Sequence, residues 1–134
     1  MLFRSYIDLT LQVMKHFGCN VENKNYEEFY FTPTENPKLE IINYTVEGDW
    51  SGGAFLLVAG AIAGEITVEG LDVNSTQADK AILSALKMAG AKISLDENAI
   101  TISPATLKAL QFDATDCPDL LILDLSLLLL IAKE

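Results

Sequence analysis

Positive charge is what this sequence has least of. Its 134 residues hold nine Lys and Arg against 19 Asp and Glu, a formal net charge of −10. Arg4 is the only arginine and His16 the only histidine. Such a balance repels phosphate backbones and anionic lipid surfaces, so nucleic acid and membranes are excluded as expected partners. It also leaves few side chains able to fork a phosphate or carboxylate. Cysteine is scarce too. Cys19 and Cys117 form no C-x-x-C pair and have no metal-ligand spacing, so we expect reduced thiols, no metal and a cytoplasmic location. Met1-Leu2-Phe3-Arg4 is followed by no secretory apolar core. The longest apolar run, 120–131, is broken by Asp124 and is too short for a membrane span. No G-x-G-x-x-G or P-loop pattern occurs, and we expect no cofactor.

What is present is a globular composition, with 50% apolar and 21% charged residues, in a length that suits one domain. Ile7, Leu11, Met14 and Phe17 recur at helical spacing, which predicts an amphipathic helix over 5–17 stopped by Gly18. Strands are expected at 20–23 and 27–32 across a turn at Asn23-Lys24-Asn25, with aromatic residues alternating along the second. Ile42, Tyr44 and Val46 alternate, predicting a strand over 39–47. Asp49 or Ser51 then caps a helix over 53–63 that is apolar on every side and is therefore expected to be buried all round. A strand at 65–69 and a helix over 77–89, capped by Ser75 or Thr76 and ended by Gly90, follow. A hairpin is expected over 92–95 and 99–103, then a strand at 110–115 and a last helix opened by Pro118.

This order predicts an α+β or α/β fold with helices on one side of mixed sheets. The stretch 39–103 reads as one complete βαβαββ unit within a single domain, 1–134. The flanks 1–38 and 104–134 read as half units that close into a second, permuted unit. An internal repeat supports this: a shift of 72 positions sets Leu11 on Leu83, Met14 on Leu86, Lys15 on Lys87, Gly18 on Gly90 and Val21 on Ile93.

Four segments carry a resemblance. They are Tyr6-Ile7-Asp8-Leu9-Thr10-Leu11 with Met14-Lys15 and Phe17-Gly18; Val46-Glu47-Gly48-Asp49-Trp50-Ser51; Asn74-Ser75-Thr76-Gln77-Ala78-Asp79; and Cys117-Pro118-Asp119. In this order they resemble the EPSP synthase family, the shikimate-pathway enolpyruvyl transferases of aromatic amino acid biosynthesis. The resemblance implies two lobes of three βαβαββ units each, with substrates bound between the lobes. This chain would be an internal fragment of one lobe. It implies transfer of the enolpyruvyl group of phosphoenolpyruvate to the 5-hydroxyl of shikimate 3-phosphate. Asp119 would stand as the remnant catalytic base and Tyr6 as a remnant substrate-binding residue at the shikimate phosphate.

Two departures weigh against activity of the chain alone. Phe3 stands where the family usually has a phosphate-binding serine, and a phenyl ring donates no hydrogen bond. After Asp119 the leucine-rich run departs from the small residues usual there and offers a surface for self-association. Asp119 also suits a plain structural role, a carboxylate at a helix start favoured by the dipole. Tyr6 equally suits packing, Asp49 capping, and His16 the cation-favouring end of the first helix. The expected function is therefore a transferase fragment, inactive by itself. The alternative is an engineered, non-enzymatic folded domain with no ligand. A nucleotide-sugar enolpyruvyl transferase is a third reading, disfavoured by the shikimate-type motifs.

Overall fold

The computed structural model describes residues 4–33, 42–113, 115, 117 and 120. Helices and strands alternate along the chain, and it divides into two compact units, 1–46 and 47–134.

The first unit is a helix followed by a hairpin. Helix α1 runs Arg4–His16, and strands β1 (Asn20–Lys24) and β2 (Glu28–Thr32) pair antiparallel, with Val21 opposite Phe31 and Asn23 opposite Phe29. Gly18 sits at φ +78°. Its N–H reaches Lys15 O at 3.0 Å and the Cys19 N–H reaches Met14 O at 2.9 Å. That paired closure is a Schellman stop, which a side chain on residue 18 would strain. The hairpin turn lies two residues beyond its expected place. Asn25 and Tyr26 take positive φ (54° and 64°), and Asn23 Oδ1 accepts the Tyr26 N–H at 2.8 Å. A short polar side chain three residues before Tyr26 thus fixes a left-handed corner. No described residue of α1, β1 or β2 is fully buried.

The second unit holds the core. Helix α2 (Trp50–Ile62) precedes strand β3 (Ile66–Glu69), a 3-10 turn (Ala78–Ala81), helix α3 (Ile82–Ala89) and strands β4 (Lys92–Leu95) and β5 (Ala99–Ser103). The sheet order is β3-β5-β4 and both pairings are antiparallel, where mixed sheets were expected. Trp50, Leu57, Ile82, Leu86, Ile100, Ile102 and Leu120 are its largest fully buried side chains. Gly60 lets α2 lie against the sheet, because a Cβ there would overlap the Ile102 methyl Cγ2. Gly90 repeats the stop seen at Gly18: φ is +92°, its N–H reaches Lys87 O at 3.1 Å and the Ala91 N–H reaches Leu86 O at 2.9 Å.

Four expectations are corrected. Helix α2 is not buried all round: Phe55 is 55% and Leu56 50% exposed. A helix covers only the face that meets a neighbour, whatever its composition. The strand expected over 39–47 does not form among its described residues, 42–47; Ile42, Tyr44 and Val46 are 37%, 38% and 80% exposed. Alternation makes a strand only when another strand completes the ladder. The same holds for the expected strand at 110–115, where 110–113 and 115 are irregular. The helix expected over 77–89 begins as a 3-10 turn, and neither Ser75 nor Thr76 is its cap; Gln77 occupies that position without a side-chain cap bond. The helix expected after Pro118 falls outside the described residues except at Leu120, which is buried.

Candidate functional site

Tyr6 stands in the first turn of α1, 47% exposed, and its carbonyl accepts the Thr10 hydroxyl at 2.8 Å. Further along the same helix, Asp8 accepts the Tyr26 hydroxyl at 2.8 and 3.0 Å. The guanidinium of Arg4 lies 4.9 Å from the Tyr26 ring centre. Asp8 raises the Tyr26 phenol above its usual value, first by that hydrogen bond, then with partial burial and charge repulsion; Arg4 opposes it. The only arginine of the chain is thus engaged with an aromatic face. Ser5 Oγ, next to Tyr6, is buried and makes no hydrogen bond among the described residues. At the other end of α1, His16 stacks edge-on with Tyr44 at 5.0 Å and with Phe17 at 5.8 Å, which accounts for it as a packing ring. Among the described residues no group of three His, Cys, Asp or Glu could hold a metal ion. None of their helices is long and apolar enough to cross a membrane.

The second unit brings two of the sequence motifs together. Asp49 caps α2, its carboxylate accepting the N–H groups of Ser51 at 3.0 Å and Gly52 at 3.1 Å. Gln77 reaches back to the same corner: its Oε1 accepts the Trp50 N–H at 2.9 Å and its Nε2 donates to Gly48 O at 2.9 Å. The Ser51 hydroxyl donates to Asp79, which is only 5% exposed. The Trp50 indole N–H donates to Asp72 O at 2.9 Å. Gly48 itself donates to Gly70 O at 3.1 Å, and a Cβ on Gly48 would collide with that carbonyl. The turn of 72–79 therefore locks the start of α2. Asp49 and Gln77 bond backbone groups, and capping is the observed role of Asp49.

Sequence reasoning singled out both motifs but not that Gln77 and Asp79 bind Gly48, Trp50 and Ser51. Nothing local signals a bond across 27 to 29 residues. Tyr6 lies where a helix-start residue was expected. Asp119 lies outside the described residues, so the two expected site residues are not seen together.

Comparison with known proteins places these motifs. The family described as EPSP synthase (3-phosphoshikimate 1-carboxyvinyltransferase) matches residues 2–133. The 3-phosphoshikimate 1-carboxyvinyltransferase of Clostridium novyi is 38% identical over 117 residues, covering 87% of this chain and 26% of that protein. That of Actinobacillus pleuropneumoniae serotype 5b is 39% identical over 116 residues, 87% of this chain and 27% of the relative. That of Clostridium perfringens strain 13 is 39% identical over 119 residues, 88% of this chain and 28% of the relative. The chain thus spans roughly a quarter of the length of each relative it matches, and it belongs to the EPSP synthase family.

Proposed function

We propose that this chain is an interior piece of an EPSP synthase lobe and does not turn over substrate by itself. The observation that carries this is the family match over 2–133 within a chain that covers 26% of the Clostridium novyi relative. In the proposed reaction of the whole protein, the 5-hydroxyl oxygen of shikimate 3-phosphate bonds to C2 of phosphoenolpyruvate while C3 takes up a proton. The C2–O bond to phosphate then breaks as C3 gives up a proton, which restores the double bond and releases phosphate. Asp119 takes the hydroxyl proton as general base and Tyr6 lines the phosphate of shikimate 3-phosphate. Binding two polyanions needs several cations, and a net charge of −10 with Arg4 already on Tyr26 supplies too few. The finer architecture belongs to the same proposal. The observed order α2-β3-α3-β4-β5 supports all but the first strand of a βαβαββ unit over 39–103, and α1-β1-β2 is the closing half of another.

An amide NMR titration of the chain with shikimate 3-phosphate, with and without phosphoenolpyruvate, tests the residues; phosphate release in the same tube tests activity. Saturable shifts at Tyr6 and Asp119 with shikimate 3-phosphate alone, with no further change on adding phosphoenolpyruvate and no phosphate release, are expected. Phosphate release by the chain alone would overturn the reading of it as inactive. A spectrum that ignores both ligands would remove both residue assignments.

A further inference from the structure

The two units treat the same corner differently. A shift of 72 positions sets α1, Gly18 and β1 on α3, Gly90 and β4, and both corners carry the same two-bond glycine stop. In the first unit a cavity of about 630 Å³ opens at this corner, lined in part by Leu11, Lys15, Cys19 and Val21. The same shift sets these four on Leu83, Lys87, Ala91 and Ile93. In the second unit, residues 104–113 cross the corner. The Lys108 N–H reaches Ala89 O at 2.8 Å, and a Cβ on Gly90 would stand 3.7 Å from Thr106 O. Leu107, Leu110 and Phe112 pack half-buried against the core, while Lys108 and Gln111 are exposed.

Little holds this segment down. Pro104 has no N–H and stands directly after the last residue of β5. No residue of 104–113 belongs to a helix or strand, and among the described residues the Lys108–Ala89 bond is its only backbone tie to the rest of the unit. That bond satisfies one of the carbonyls that a helix leaves open at its end. Further on, the Asp113 carboxylate turns the chain by accepting the Thr115 N–H at 2.9 Å, and the buried Cys117 and Leu120 anchor it. The segment is thus pinned at both ends, and three apolar side chains and one hydrogen bond close it in between.

We propose that residues 104–113 form a strap that opens as one piece while the helix and sheet beneath it stay folded. None of its residues belongs to the β3-β5-β4 ladder, so opening breaks no strand pairing. It uncovers the α3–β4 corner and leaves it like the α1–β1 corner, where helix, glycine stop and hairpin stand beside an open cavity. The inference does not rest on the enolpyruvyl reading, and no substrate enters its test.

Native-state amide hydrogen exchange of the whole chain, read by NMR, tests this. The Lys108 amide should exchange at least about tenfold faster than the amides of Ile100 and Ile102 in the central strand. Leu107→Ala and Phe112→Ala, on either side of Lys108, should each speed Lys108 exchange by about tenfold or more, because each loosens the whole strap. Val68→Ala, in β3, should speed exchange at Ile100 and Ile102 by about tenfold and leave Lys108 unchanged. If Lys108 exchanges together with the β5 amides, or speeds up with Val68→Ala, the segment opens only when the unit unfolds, and the proposal fails. If Phe112→Ala leaves Lys108 exchange unmoved, the Lys108 bond frays locally, and a strap that opens as one piece is refuted.

Discussion

Gly60→Ala isolates the closest contact of the second unit. The added methyl would overlap Ile102 Cγ2 and stand 3.2 Å from Ile66 Cβ and 3.4 Å from Ile102 O. Ile102 is fully buried, so it cannot swing into solvent to make room. Forcing a methyl into a filled core costs roughly 1–3 kcal/mol, and the depth of this overlap points to the upper end. Alanine returns about 0.5–1 kcal/mol through helix propensity. The net expectation is a loss of about 2 kcal/mol. Trp50, the single tryptophan, is fully buried in this unit and reports its unfolding by fluorescence. With a urea slope of about 2 kcal/mol/M the midpoint should fall by about 1 M. In an Ile102→Ala background the methyl would have space, and Gly60→Ala should be neutral or slightly stabilising there. An unchanged or raised midpoint in the parent chain would refute the idea that α2 lies this close to β5.

Removing the Ser51 hydroxyl should expose the dependence of the α2 corner on Asp79. Ser51→Ala leaves a buried carboxylate without that donor and should cost about 1–3 kcal/mol, read from the same urea midpoint. In the first unit, Tyr26 should ionise above the usual tyrosine range. Its raised value means that the Asp8 contact stabilises the unit below that range and is lost as pH rises through the folded-state value. Asp8→Asn should bring the titration back down, visible as a difference in tyrosinate absorbance between the two chains. No difference would show that the Tyr26–Asp8 bond does not persist in solution.

Features set by neighbours along the chain were legible in the sequence. Gly18 and Gly90 stop helices because a left-handed residue there lets two carbonyls be satisfied locally. Asp49 caps α2 because its carboxylate reaches N–H groups two and three residues on. The β4–β5 hairpin fell at 92–95 and 99–103, where it was expected, and the family was readable because its motifs are contiguous strings. Tertiary structure decided the rest. Whether 42–47 became a strand depended on a partner that alternation cannot supply. Which face of α2 was covered depended on where the sheet lay, leaving Phe55 and Leu56 outside despite a helix apolar on every side. Gln77 and Asp79 acquired their partners only when the chain closed over 27 to 29 residues. Local sequence carries backbone preference and polarity, but burial and long-range hydrogen bonding belong to the packed pair, not to either segment alone.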